Sequence, residues 1–224
     1  MDFSIITWDV FIYLLKGAWL SIVIAAVSIF FGLILGTLGA AGKMSKNKFL
    51  NFVSTVYVEL FRGTPMLMQI TFAYLALPAL ITFILKRPVR FNPLYTGIAA
   101  ISINSGAYTT ELIRSGINGV DKGQFEAADT LGLSYRQKMQ LVILPQAFKN
   151  ILPPLVSEFI TLIKDSSLLS TIGVVELMQS AKSVGANFYA YLPPITVASI
   201  IYLVLNLVIS ALSSALEKRL SVSD

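Results

Sequence analysis

The side chains in this sequence best suited to chemistry are charged and amide groups inside long apolar stretches. Arg62 and Gln69 lie in one such stretch, Asn104 in a second and Glu158 in a third. A charged side chain near the centre of a bilayer costs roughly 2.5–3.5 kcal/mol on insertion scales, so each is expected to face the protein interior and to have a partner. The sequence has no His and no Cys, which removes thiolate chemistry and the usual zinc ligands. We therefore expect recognition of a polar solute rather than bond making, and no metal site.

Asn104 and Glu158 are predicted to lie at the same depth. At about 1.5 Å per residue, Asn104 is roughly 15 Å from a helix start near Leu94, and Glu158 is roughly 18 Å from a start near Gln146. Both depths are close to the middle of a ~30 Å hydrocarbon core. A carboxylate at that depth needs a partner, and two stay open for Glu158: a bound substrate, or a structural pair with Arg62.

Two pairs of opposite charge are spaced three residues apart. Glu59 with Arg62, and Glu111 with Arg114, would be neighbours on one helix face. The first pair predicts a self-neutralising contact that holds helix packing. Pro65 follows inside the same apolar stretch and frees an upstream carbonyl, which is tolerated where protein or a cavity covers it.

The composition indicates a membrane protein. Of 224 residues, 55% are hydrophobic and 13% are charged, with 17 Lys and Arg against 12 Asp and Glu. The cations are spread over connecting segments, which favours the positive-inside rule over nucleic-acid binding. The first residues lack a basic region, so we expect no cleaved signal peptide. The stretch 36–43 fails as a phosphate loop, and the chain is expected to carry no ATP site.

The apolar segments predict an all-α membrane protein with one N-terminal interfacial helix and five transmembrane helices. Residues 1–224 form a single transmembrane domain on this interpretation, with the interfacial helix at 1–16 and a polar hairpin at 121–144 between spans three and four. The five predicted spans are 17–41, 52–80, 94–117, 146–165 and 193–216.

The polar hairpin is predicted to contain two short helices. Asp121 is expected to cap the first helix, and Gly132 is expected to end it in a left-handed conformation. Ser134 opens a second capping signature, and the second helix is predicted to end at Leu144 because Pro145 lacks a backbone donor. Neither helix is long or apolar enough to cross a bilayer.

The hairpin also carries a resemblance to a known family. Glu126, Ala127 and Ala128, followed by Gly132 and the run Val142–Pro145, resemble the EAA loop of ATP-binding-cassette (ABC) importer permeases. In that family the loop is the coupling helix, which docks on a cytoplasmic ATPase subunit. The resemblance therefore implies that Glu126, Ala127, Ala128, Gly132, Leu144 and Pro145 couple the chain to an ATPase. An ordinary cytoplasmic hairpin between two spans is the structural alternative.

Three further runs resemble the polar amino acid branch of these permeases: ELFRGTP at 59–65, NSGAY at 104–108 and KDSSL at 164–168. The resemblance implies a transport subunit that is not itself an enzyme, in a bacterial or archaeal cytoplasmic membrane. Its implied partners are two copies of an ABC ATPase subunit, which hold ATP and Mg, a second permease copy or related permease chain, and an extracytoplasmic amino acid-binding protein. No cofactor is expected in this chain.

The resemblance implies an amino acid substrate near the membrane midplane. Glu158 is expected to hold an ammonium or a cationic side chain, and Asp165 is expected to act as a gate. The acidic residues in the inner spans favour arginine, lysine or histidine, although a glutamine transporter would use the same carboxylate for the α-amino group. The complete predicted substrate site consists of Glu158, Asn104, Gln69, Thr161, Ser105, Met68 and Asp165.

Orientation follows from charge. The loop at 43–50, the segment at 114–149 and the C-terminal tail hold most of the Lys and Arg residues, which predicts that the hairpin and the C-terminus are cytoplasmic. A different class of function also stays open: an ion-coupled secondary transporter or channel that uses buried carboxylates as a relay. That alternative gives the hairpin no role. A purely structural membrane anchor is the third possibility.

Overall fold

A computed structural model describes residues 3–221 of the chain, and the side chains of residues 3–215. The described residues are all-helical and contain no strand. Two π-helical turns, Phe72–Ala76 and Met139–Ile143, and a 3-10 segment, Ser166–Ile172, connect some of the helices directly. The α-helices are α1 (Trp8–Lys43), α2 (Lys48–Arg62), α3 (Met66–Thr71), α4 (Leu77–Leu85), α5 (Pro93–Asn118), α6 (Lys122–Thr130), α7 (Tyr135–Lys138), α8 (Leu144–Asp165), α9 (Leu177–Asn187) and α10 (Leu192–Ser221).

The first helix is continuous across the predicted boundary between the interfacial helix and span one. Thr7 caps α1, which then runs for 36 residues, about 54 Å, without a break at Gly17. Gly17 serves packing instead, because a Cβ there would lie 2.6 Å from Ser180 Oγ and 2.9 Å from the Leu177 Cα of α9. The separation of residues 1–16 from 17–41 into two helices is therefore wrong for the residues that the structure describes, and residues 1–2 lie outside them.

Small residues bring α1 and α5 into close contact. A Cβ at Gly32 would lie 2.8 Å from Ser105 Oγ, and one at Gly36 would lie 2.5 Å from Thr109 Cγ2. Gly39 faces Thr110 in the same way, one turn further on. Stripes of small residues of this kind let two membrane helices approach closely. The observed bounds of α5 agree with the predicted third span, 94–117, to within one residue at each end.

The predicted second span, 52–80, is interrupted. Helix α2 ends at Arg62, and α3 begins at Met66 after the sequence Gly63-Thr64-Pro65. Pro65 is the N-cap of α3 with an extended backbone, because a proline inside a helix removes a hydrogen bond and clashes with the preceding turn. The apolar helix that follows the break runs through a π-helical turn to Leu85.

The polar hairpin has the predicted turn and caps but a different end. Gly132 has φ +69°, and Ser134 forms the complete capping box with Gln137. The second helix does not end at Leu144; it passes through a π-helical turn directly into α8. Pro145 is the second residue of α8 and directly follows the π-helical turn, in which the Leu144 N–H donates to Met139 O.

Three helices in the described part of the chain are long and apolar enough to cross a membrane: Trp8–Lys43, Met66–Leu85 and Leu192–Ala215. Helices α5 and α8 are about 39 Å and 33 Å long but more polar. The all-helical membrane class therefore agrees with the prediction, while the count of five spans stays a prediction. The tail charges that contribute to the predicted orientation, Lys218 and Arg219, lie outside the described side chains.

Candidate functional site

A half-open cavity of about 520 Å³ lies between the α2–α3 break, α5 and α8. Its volume is within the roughly 300–1,000 Å³ common for small-molecule sites. Polar and charged side chains from three helices reach it. Its lining residues are Arg62, Gly63, Thr64, Pro65, Met66, Asn104, Tyr108, Glu158, Thr161 and Asp165.

Two amide side chains stabilise the helix break that forms one wall of this cavity. Pro65 has no N–H, so the Phe61 carbonyl four residues earlier lacks its usual helical donor. Asn104 Nδ2 donates to that carbonyl at 3.0 Å, and Gln69 Nε2 donates to it at 2.9 Å. Gln69 Nε2 also donates to Thr64 O at 3.0 Å and to Thr64 Oγ1 at 2.8 Å. The break is therefore stabilised by the Gln69 side chain of α3 and by the Asn104 side chain of α5.

Asn104 can offer a ligand only an acceptor. Asn104 Nδ2 donates to Phe61 O and also, at 2.9 Å, to Gln69 Oε1. These two bonds use both N–H groups of the Asn104 amide. The Oδ1 atom remains, and a carbonyl oxygen suits an ammonium or guanidinium group rather than a carboxylate. Gln69 does not line the cavity; it holds Asn104 in place.

Helix α8 supplies the acidic wall. Glu158, Thr161 and Asp165 follow each other at helical spacing and all line the cavity. Among the residues with described side chains, neither carboxylate forms an ion pair, so the predicted structural pair between Glu158 and Arg62 is absent. Both carboxylates are therefore open to a cation that enters the cavity.

Arg62 supplies the opposite charge, and its position corrects two predictions. Its guanidinium carbon lies 5.1 Å from the centroid of the Tyr108 ring, within cation–π range. Glu59, its expected partner, instead lies 3.9 Å from Lys43 Nζ of α1. The Glu59–Arg62 pair is therefore wrong, because contacts with α1 and α5 turn the two side chains apart. The alternative pair of Arg62 with Glu158 is also absent among the described side chains.

Two of the predicted substrate residues lie elsewhere. Ser105 is fully buried against Gly32 of α1 and does not line the cavity, although its hydroxyl is a close neighbour of the Glu158 carboxylate. Met68 is 66% exposed and faces a separate apolar groove with Phe72. Residue type alone favoured both, but the rotation of each helix decides which face meets the cavity.

The polar hairpin presents an apolar surface. Leu131, Tyr135 and Leu141 are all exposed, although the helices around them are short and polar. The hairpin is held by a 2.6 Å ion pair between Lys138 and Asp129. Exposed large apolar side chains that lie close together are typical of a protein contact.

The residues implied in coupling have different positions on this hairpin. Glu126 and Ala127 are exposed, whereas Ala128 is buried and its carbonyl accepts from the Leu133 N–H at 3.1 Å. Gly132 provides the turn, and Leu144 is exposed at the start of α8. Ala128 and Gly132 therefore shape the hairpin rather than extend its surface.

Sequence reasoning missed one buried acid, Glu176. It caps α9 by accepting from the Met178 and Gln179 N–H groups, both at 2.9 Å, and it accepts from Tyr202 Oη at 2.8 Å. Ser21 Oγ donates to it at 3.4 Å. The carboxylate thus joins α1, α9 and α10 by hydrogen bonds. Its only local signal is a cap, and Glu is not among the preferred capping residues.

Comparison with known proteins places this architecture among transport proteins. Residues 28–222 match the family described as binding-protein-dependent transport system inner membrane component. The chain is 40% identical over 212 residues to the putative glutamine transport system permease protein GlnP of Rickettsia bellii, a match that covers 95% of this chain and 94% of that protein. It is 39% identical, with the same coverage, to the arginine transport system permease protein ArtQ of Bacillus subtilis.

Solved structures give the same result. The fold matches a chain from the crystal structure of an amino acid ABC transporter with histidines, with a TM-score of 0.86 and 36% identity over 92% of this chain and 94% of the other. It also matches an inward-facing structure of the MetNI methionine ABC transporter, with a TM-score of 0.76 over 96% and 99% of the two chains. At 17% identity, the second match concerns the fold alone.

Proposed function

The chain belongs to the family of binding-protein-dependent transport system inner membrane components and is a permease subunit of an amino acid ABC importer, and we propose that it moves basic L-amino acids into the cytoplasm. It has no catalytic activity of its own. On this proposal ATP and Mg are bound and ATP is hydrolysed by a separate ATPase chain.

The charge pattern of the cavity is the observation that carries this proposal. Arginine and lysine each have two cationic groups and one carboxylate, and the cavity offers Glu158, Asp165 and Arg62. Arg62 pairs with the substrate carboxylate, while Glu158 and Asp165 take the α-ammonium and the side-chain cation. The Asn104 Oδ1 and the Thr161 hydroxyl add acceptors on the acidic side. Protonated histidine presents the same three charges.

A neutral amino acid fits this lining less well. Glutamine would satisfy Arg62 and one carboxylate, but it would leave the second carboxylate facing an uncharged amide. Both carboxylates are partly buried, and a partly buried carboxylate without a cationic partner costs more free energy than an exposed one. The lining therefore favours a basic substrate over glutamine, the amino acid in the name of the putative glutamine transport permease GlnP.

The polar hairpin is the proposed contact with the ATPase. Leu131, Tyr135 and Leu141 form its apolar surface, and Glu126 adds an exposed charge. Two permease chains, identical or related, would each bind one ATPase copy, and an extracytoplasmic binding protein would deliver the amino acid. The hairpin and the C-terminus are cytoplasmic, and five spans cross the membrane. ATP-driven closure of the ATPases would then move two rigid bundles between inward-open and outward-open states.

Transport in a reconstituted system tests this function. The permease, its ATPase and its binding protein are placed in vesicles, and uptake of radiolabelled arginine, lysine, histidine, glutamine and cystine is compared. We expect ATP-dependent uptake in which the basic amino acids exceed the others. A preference for glutamine would refute the basic specificity. Uptake driven by an ion gradient without the ATPase would instead favour the ion-coupled alternative.

A further inference from the structure

A second concave surface, here named the lateral groove, runs beside α4 and α5. It consists of two adjoining cavities of about 420 Å³ and 450 Å³, and of the described residues it shares only Thr64 with the charged cavity. The two parts are continuous because four residues line both of them: Ala73, Leu77, Ala100 and Ile103. None of the residues proposed to contact the substrate lines this groove.

One end of the lateral groove is basic. Arg90 lines this end, and the same loop contains Lys86 and Arg87. All three side chains are exposed, and none forms an ion pair with a carboxylate whose side chain the structure describes. The distribution of Lys and Arg along the chain predicts that this loop is on the non-cytoplasmic side, where the positive-inside rule disfavours cations. A cluster of three cations in this loop therefore needs a specific reason.

The other end of the lateral groove is apolar. Its walls include Leu60, Met68 and Phe72, and each of these side chains is more than half exposed. The π-helical turn Phe72–Ala76 forms part of the wall. Such turns are rare and are found frequently at functional sites.

We propose that the lateral groove binds an anionic phospholipid, with its phosphate at Arg90 and an acyl chain along Leu77, Phe72 and Met68. A phospholipid is complementary to the groove along its length: its anionic phosphate matches the basic end, and its acyl chain matches the apolar end. A soluble anion would leave the apolar walls exposed. A symmetric contact with a second copy across the mouth would bring like charges together, which opposes association.

Fluorescence quenching tests lipid selectivity at this groove. Phe72→Trp, in a chain whose two tryptophans are replaced (Trp8→Phe, Trp19→Phe), gives one reporter in the apolar wall. The assembled importer is reconstituted in vesicles, and quenching by brominated phosphatidylglycerol is compared with quenching by brominated phosphatidylcholine. We expect about fivefold selectivity for the anionic lipid, the factor that corresponds to one basic residue near a membrane surface.

Charge variants in the same loop supply the controls. Arg90→Gln should abolish the selectivity, so that both lipids quench equally. Arg90→Lys should retain most of it, because a lysine ammonium also binds phosphate. Arg87→Gln is the matched control: it removes one charge from the loop but does not alter the groove lining, and it should leave most of the selectivity intact. Equal quenching by both lipids, or equal losses in Arg90→Gln and Arg87→Gln, would overturn the proposal.

A cross-linking measurement excludes protein occupants independently. The chain has no native cysteine, so Phe72→Cys introduces a single thiol in the groove wall. In the assembled importer we expect this thiol to react with a lipid-soluble maleimide and to form no cross-link to a second permease chain. Efficient cross-linking to a second copy or to the binding protein would show that protein covers the groove and would refute lipid binding.

Discussion

The helix break between α2 and α3 should depend on the Gln69 amide. Replacing Gln69 by Leu keeps a side chain of similar size but removes the Nε2 donor to Phe61 O, Thr64 O and Thr64 Oγ1. It also removes the Oε1 acceptor for Asn104. Phe61 O keeps its bond from Asn104, whereas the side-chain donor to Thr64 O is lost. Loss of these hydrogen bonds should cost about 2 kcal/mol in total, because each contributes roughly 0.5–1.5 kcal/mol net and the Thr64 acceptors are exposed to solvent.

Thermal unfolding of the purified importer measures this cost. For a chain of this size 1 kcal/mol corresponds to about 2–4 °C, so Gln69→Leu should lower Tm by roughly 4–8 °C. Thr71→Val is the control on the same helix, because the Thr71 hydroxyl donates only to Leu67 O within α3. Arginine binding should also weaken, since Asn104 loses the group that orients it. A Tm equal to that of Thr71→Val, with unchanged arginine binding, would refute this role for Gln69.

Three further predictions concern the packing of the helices and the hairpin. Gly132→Val places a β-branched residue at φ +69°, which strains the backbone by about 1–2 kcal/mol. It should reduce the amount of amino acid transported per ATP hydrolysed without loss of membrane insertion. An unchanged ratio of transport to ATP hydrolysis in vesicles would contradict this prediction. Gly36→Leu forces a side chain against Thr109 of α5, and such overpacking should destabilise the fold by about 1–3 kcal/mol and lower Tm accordingly. A Tm equal to that of the wild type would count against the close α1–α5 contact. Glu111→Gln removes the carboxylate that lies 2.5 Å from the Lys43 ammonium. Because both groups are only partly buried, we expect the free energy of unfolding to fall by about 2 kcal/mol. A Tm no lower than that of the wild type would contradict this.

Local signals predicted the hairpin well. The turn at Gly132 and the capping box at Ser134 need only residues within a few positions, and the structure has both. The end of the second helix failed for a tertiary reason. Proline is tolerated at the start of a helix as well as after one, and the π-helical turn before Leu144 lets the chain continue through Pro145.

The candidate site was predictable by residue type and only partly by position. Depth along two helices correctly placed Asn104 and Glu158 at one cavity, and Thr161 and Asp165 follow on the same face. Helix rotation was not available from the sequence, and Ser105, which was predicted for this cavity, packs against Gly32 of α1 instead of lining it.

Charge partners were harder to predict because they come from distant parts of the chain. Spacing paired Glu59 with Arg62, but Lys43 and Tyr108 on other helices are closer partners. Glu176 shows the same difficulty. Apart from the backbone N–H groups of its own cap, its hydrogen-bond donors belong to α1 and α10, and no local pattern connects these helices.

Arginine binding to the assembled importer, measured by calorimetry with and without Glu158→Gln, is the most direct test of the charged cavity. A charge-assisted hydrogen bond contributes about 1.5–3 kcal/mol, so the substitution should weaken arginine binding roughly 10- to 100-fold while assembly with the ATPase is retained. If Glu158 holds the side-chain cation, glutamine binding should change little; if it holds the α-ammonium, both should weaken. An arginine Kd that does not change in Glu158→Gln would contradict the assignment of this cavity to a basic amino acid.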